Sequence, residues 1–118
     1  MDLSEAVAAT VSAVPDDSRD KAVAYVHERP LAAGTVLLVD RRPEVLIGTI
    51  YLGFVDCEPG KNWGHPCRYV RCRVDDDTVE VTEAQFPPAI EDGRLAWVAQ
   101  FVGPEVPIWA VIPASDGQ

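Results

Sequence analysis

The feature that most constrains the fold is a change of hydrophobic period at Thr35. Ahead of it, Leu3, Ala6, Val7, Thr10, Val11 and Val14 fall at the i, i+3, i+4, i+7 spacing of one helical face. Ser4 or Asp2 can act as N-cap and Pro15 stops the run, which predicts a helix over about 3–14. Asp16, Asp17 and Ser18 offer capping oxygens and N-terminal negative charge to a second helix over about 18–28. Its narrow apolar stripe is Ala22, Val23 and Val26, Pro30 ends it, and His27 falls on its surface.

Beyond Thr35 the apolar and β-branched residues crowd into short runs, which reads as strands over 36–39 and 45–55. The polar link 40–44 with its central Pro43 predicts a hairpin turn. Gly48 and Gly53 interrupt the second run, where a missing side chain marks a bulge or bend, so the central strand is expected to curve. A further hairpin with a two-residue turn at Asp76-Asp77 sets Val74 opposite Val79, Arg73 opposite Glu80 and Cys72 opposite Val81, with Cys72 inward. Pro87-Pro88 ends that strand, and later strands are expected over 95–102 and 108–112. The class is α+β, one domain over 1–118. It comprises two N-terminal helices followed by a mostly antiparallel, curved sheet of about six strands over about 35–112.

Charge narrows the function. A formal net charge of −9 opposes both nucleic acid and anionic membrane surfaces, since each is bound through positive charge. The first residues lack a basic segment followed by an apolar one, and the longest apolar stretch is about half the ~20 residues that span a bilayer. Cys57, Cys67 and Cys72 are odd in number, which favours free thiols in a reducing compartment. A cytoplasmic protein is the expectation.

Residues 56–68 gather most of the reactive side-chain types into one connection. Trp63 is a candidate platform, with Lys61, Asn62, His65 and Arg68 as polar contacts. From Lys61 to Arg73 there are four basic residues, Lys61, Arg68, Arg71 and Arg73, and no acidic one, a local reversal of sign. If Tyr69, Arg71 and Arg73 share an outward strand face, they suit a carboxylate, a phosphate or an acidic patch on a partner. The competing architectural reading is a loop that caps the core edge beside a solvated face whose arginines pair with neighbouring acids.

A catalytic reading takes Cys67 as nucleophile, His65 as base and Asp56 or Glu58 as the group that orients it. Cys57, His65, Cys67 and Cys72 match zinc in number but lack a C-x-x-C knuckle, so no metal and no cofactor are expected. Common phosphate-loop, dinucleotide, zinc-protease and serine-hydrolase motifs are absent. Two functions follow. One is a noncatalytic binding or accessory module that docks on a partner protein, or on itself through 108–112, using the 56–68 loop and the basic strand. The other is a small enzyme or anionic-ligand-binding domain built on Cys57, His65 and Cys67. The near absence of ionisable residues from the strands over 35–39, 45–55 and 95–102 favours the first.

Overall fold

The structure, a computed structural model, describes residues 1–61 and 64–113. One helix, α1 (Leu3–Ser12), opens the chain. Asp2 caps it, its carboxylate accepting from Glu5 N at 2.9 Å while the Glu5 carboxylate accepts from Asp2 N at 3.1 Å. Eight strands follow among the described residues: β1 (Val23–His27), β2 (Val36–Val39), β3 (Arg42–Val45), β4 (Ile50–Asp56), β5 (Cys67–Arg73), β6 (Val79–Ala84), β7 (Ala89–Ile90) and β8 (Trp97–Val102). They form two antiparallel sheets, one of five strands in the order β6-β5-β4-β1-β8 and one of three in the order β3-β2-β7.

Three layers result. Between the sheets lies a core of large side chains, among them Tyr25, Leu37, Leu52, Phe54, Tyr69 and Trp97. Between the five-stranded sheet and α1 lies a core of small ones, chiefly Ala6, Ala13, Ala22, Ala24, Val70 and Cys72. Small side chains let the helix axis approach the sheet. Gly53 marks the closest point, since a Cβ there would stand 2.1 Å from Thr10 Oγ1 and 2.7 Å from its Cγ2.

The α+β class and the antiparallel pairing stand, but several expected elements do not. The second helix, over 18–28, is instead a 3-10 turn (Asp16–Ser18) followed by strand β1. All five β1 residues are buried. A short apolar run covered on both faces has no periodicity to separate strand from helix, and the acidic cap signal serves the turn alone. His27 is accordingly a core residue whose Nδ1 accepts from Ala96 N at 2.9 Å. One curved sheet of about six strands becomes two sheets because the run over 45–55 breaks between β3 and β4, where the chain passes from one sheet to the other.

The first hairpin is tighter than expected. Asp40 and Arg41, at φ 52° and 72°, make its two-residue turn, and Pro43 belongs to β3. The β5–β6 hairpin is wider. Arg73 N donates to Thr78 O at 2.9 Å, and Asp76 Oδ1 accepts from Thr78 N at 3.1 Å and Thr78 Oγ1 at 2.7 Å, so Cys72 lies opposite Val79 and Arg71 opposite Glu80. This register differs by two residues, an even step that preserves the faces and keeps Cys72 buried. The expected strand over 108–112 is a 3-10 turn (Ile108–Ala110) between Pro107 and an extended Val111. Among the described residues no helix is long and apolar enough to cross a membrane.

The Gly53 contact yields a test. Gly53→Ala should lower stability by about 1–3 kcal/mol through overpacking against Thr10. Gly53→Ala combined with Thr10→Ala should cost less than the two single changes summed, measured by denaturant unfolding of all four proteins.

Candidate functional site

The connection between β4 and β5 is held at its base by one carboxylate. Asp56, the last residue of β4, turns between the sheets beside Cys67. Its Oδ1 accepts from His65 Nε2 at 2.8 Å and from Glu58 N at 3.1 Å, so it binds both arms of the loop. Cys57 N donates to Pro66 O at 3.2 Å, and His65 N donates to Gln85 O at 2.8 Å, fastening the returning arm to the segment after β6. Gly64 packs so closely on Phe86 that a Cβ would stand 3.0 Å from its ring. Gly60, at φ +91°, likewise leaves room for the Trp109 indole, which would lie 2.9 Å from a Cβ there. Burial raises the Asp56 pKa above its ordinary value, and the hydrogen-bonded His65 only partly offsets this.

The structure brings Asp56, His65 and Cys67 into one region but does not arm the thiol. Cys67 is buried, and its Sγ donates to Phe86 O at 3.4 Å. Burial, reinforced by the negative charge of Asp56, pushes its pKa up to about 12. An activated cysteine needs the opposite surroundings. Cys57 and Cys72 sit in the other core, beneath α1, and burial raises both their pKa values too. All three are free thiols. Among the described residues no three His, Cys, Asp or Glu side chains gather closely enough to hold a metal ion.

The expected basic stripe is divided. Arg68 points to the helix side, where its Nη1 donates to Ala13 O at 3.1 Å and caps the end of α1. Tyr69, expected on an outward face, is buried between the sheets, its hydroxyl donating to Phe86 O and accepting from Asp40 N at 3.0 Å. The three-stranded sheet covers that face, which is why an alternating strand pattern misled. Arg71 pairs with Glu44 and Glu80, and Arg73 with Asp76, at the opposite end of β5. Arg68 and Arg73 are five residues apart on the strand, about 17 Å. Lys61 is exposed beside Glu58, its Nζ 3.2 Å from Oε2. Asn62 and Trp63 lie outside the described residues.

The sequence singled out 108–112 as a pairing strand, and what it did not show is that Ile108–Ala110 is a turn set beside Gly60 of the loop. Ile108 and Trp109 are 89% and 74% exposed, although the backbone carrying them is fastened from within. Ile112 N donates to the buried Tyr25 hydroxyl at 2.9 Å, and Val106 and Val111 pack against the core on either side. Pro107 directly ahead of Ile108 was the available signal for a turn in place of a strand. No family model, curated protein or solved structure matches this chain.

Two outcomes follow. At pH 8 a thiol of pKa about 12 is ionised in about one molecule in ten thousand, so native Cys67 should resist iodoacetamide and react only on unfolding, as followed by peptide mass spectrometry. For Asp56, a folded-state pKa above the ordinary value means that its contribution is fully present below the unfolded pKa and lost as pH rises through the folded one. Asp56→Asn should therefore gain stability relative to the parent across that window, read by paired urea titrations at successive pH values.

Proposed function

We propose that this chain is a noncatalytic binding module that docks on a partner protein through the end of the sandwich where residues 57–61 and 64–66 meet the Ile108–Ala110 turn. The observation that carries this reading is the exposed Trp109 beside Gly60, held on a backbone anchored to the core. A large aromatic side chain presented on a fixed backbone loses little further freedom on binding, and tryptophan is among the residues that most often anchor interfaces. Ile108 extends the apolar surface, and the Asp56 hydrogen bonds hold the adjoining loop in place. Cys67, buried and held protonated, argues only against the reading that makes it a nucleophile.

One observation favours a second reading. The His65–Asp56 hydrogen bond is of the kind that orients a general base, so a small enzyme acting at the loop would use His65 for proton transfer. The two readings separate in one experiment. Ile108→Ser with Trp109→Ala should abolish cross-linking to a partner captured from cell extract and leave the melting temperature nearly unchanged, since both side chains are exposed. Leu3→Ala, on the exposed side of α1 and outside that surface, should retain the partner. A large fall in melting temperature would make the turn structural. Partner binding that survives the double change would remove the docking surface assigned to it.

A further inference from the structure

At the other end of the molecule the two sheets part around a cleft of about 580 Å³, lined by Val45 and Ile47 on one side and by Val79 and Glu80 on the other. Among the described residues, strand β6 is an edge of the five-stranded sheet and β3 an edge of the three-stranded one, so the cleft lies between two strand edges that no other described strand pairs. Open edges present unpaired backbone groups to another chain. The two differ in what they offer. Arg73 N donates to Thr78 O, and antiparallel hydrogen bonding alternates, so the N–H and C=O groups of Val79, Val81 and Glu83 point away from β5. The same alternation, counted from Leu46 N donating to Thr35 O, turns Pro43 and Val45 outward on β3. Pro43 has no N–H to give, so β3 is the blunted edge and β6 the receptive one.

The side chains of β6 specify what would pair with it. Val79 and Val81 are 44% and 46% exposed on the face shared with α1, while Glu80 faces the cleft toward Arg71 and Glu44. Asp75, Asp76 and Asp77 surround the hairpin end, and Glu83 lies farther along the strand. Both arginines in the cleft are already paired with these acids, Arg71 with Glu44 and Glu80, Arg73 with Asp76. The surroundings are therefore acidic on balance, which disfavours the small anion expected from the basic stripe. Self-pairing is opposed as well, because a second β6 would bring its own glutamates against these.

We infer that β6 accepts an extended basic segment of another protein, alternating β-branched and cationic residues, as a sixth strand of the large sheet. Its β-branched residues lie opposite Val79 and Val81 and exchange backbone hydrogen bonds with them. Its cationic residues turn into the cleft, their stems along Ile47 and their charges toward Glu80 and Glu44. This interface is separate from the loop-end surface and does not depend on it.

The test is an NMR titration of the full chain with a blocked seven-residue peptide that alternates lysine and valine. Saturable shifts confined to β6 and residues 44–48 are expected, with slowed amide exchange at Val79, Val81 and Glu83. A glutamate–valine counterpart, and the chain carrying Glu80→Lys and Glu83→Lys, should each bind about tenfold more weakly or worse. Both glutamates are exposed, and an unchanged melting temperature verifies that the variant is folded. Methylating the valine nitrogens of the peptide should abolish binding, whereas methylating the lysine nitrogens should not. Absence of saturable shifts, shifts at the loop end, or equal binding by the valine-methylated peptide would overturn the proposal. Sedimentation showing the chain alone as a dimer with the same amides protected would overturn it too, giving the edge to a second copy.

Discussion

Strand β1 holds the three layers together, because each of its faces is buried against a different one. Val23 and Tyr25 enter the core between the sheets, and Ala24 lies beneath α1 with Ala22 just ahead of the strand. The two sides divide large from small. Tyr25 stacks on Phe54, with ring centroids 5.7 Å apart, and lies 6.4 Å from Trp97, filling the gap between the sheets with aromatic area. On the opposite side, alanines and Gly53 leave only enough room for a helix to lie close. Thr10 at that crossing bonds its hydroxyl to Ala6 O at 2.8 Å, so the tight contact buries no unsatisfied hydroxyl. Were β1 a surface helix, neither core would close.

That same strand shows where sequence reasoning ends. The α1 signal was legible because one of its faces is exposed, and exposure is what creates a period; Ser4 or Asp2 and Pro15 then bounded it, and Asp2 is the cap. The β5–β6 hairpin was legible in which residues share a face, but not in its turn or its register, which lies two residues away. β1 was not, since Val23 to His27 are buried on both sides and the tertiary structure alone decides their conformation. The division into two sheets was equally hidden. Whether the 45–55 run continues in one sheet or crosses to another depends on what packs beneath it, and Leu46 and Ile50 are apolar in either case.

The loop region was legible in composition but not in role. Asp56 and His65 do meet, as their spacing around the loop allowed, yet the product is a hydrogen-bonded brace with Glu58 N. Tyr69 and Arg68 alternate as a strand predicts, but both faces of β5 are covered over that stretch, by the second sheet on one side and the end of α1 on the other. Alternation of polar and apolar residues therefore did not distinguish solvent from a polar contact inside the molecule. A buried tyrosine hydroxyl and a capping arginine both look like surface chemistry in one dimension.

The distribution of charge connects these observations. In a chain of net charge −9, the basic residues of β5 are absorbed by local partners, Arg68 by the α1 terminus, Arg71 and Arg73 by three carboxylates. An arginine placed between two acids removes little of the surrounding negative potential and chiefly fixes where those acids point. The sandwich consequently presents two ends of different character. One is apolar, with Ile108 and Trp109 fixed in position, and suits burial; the other is an acidic open edge, whose glutamates deter self-pairing while attracting a complementary strand. Association at the first end should be insensitive to salt, and at the second it should weaken as salt screens exposed charge, because only the second depends on carboxylates that outnumber the cations beside them.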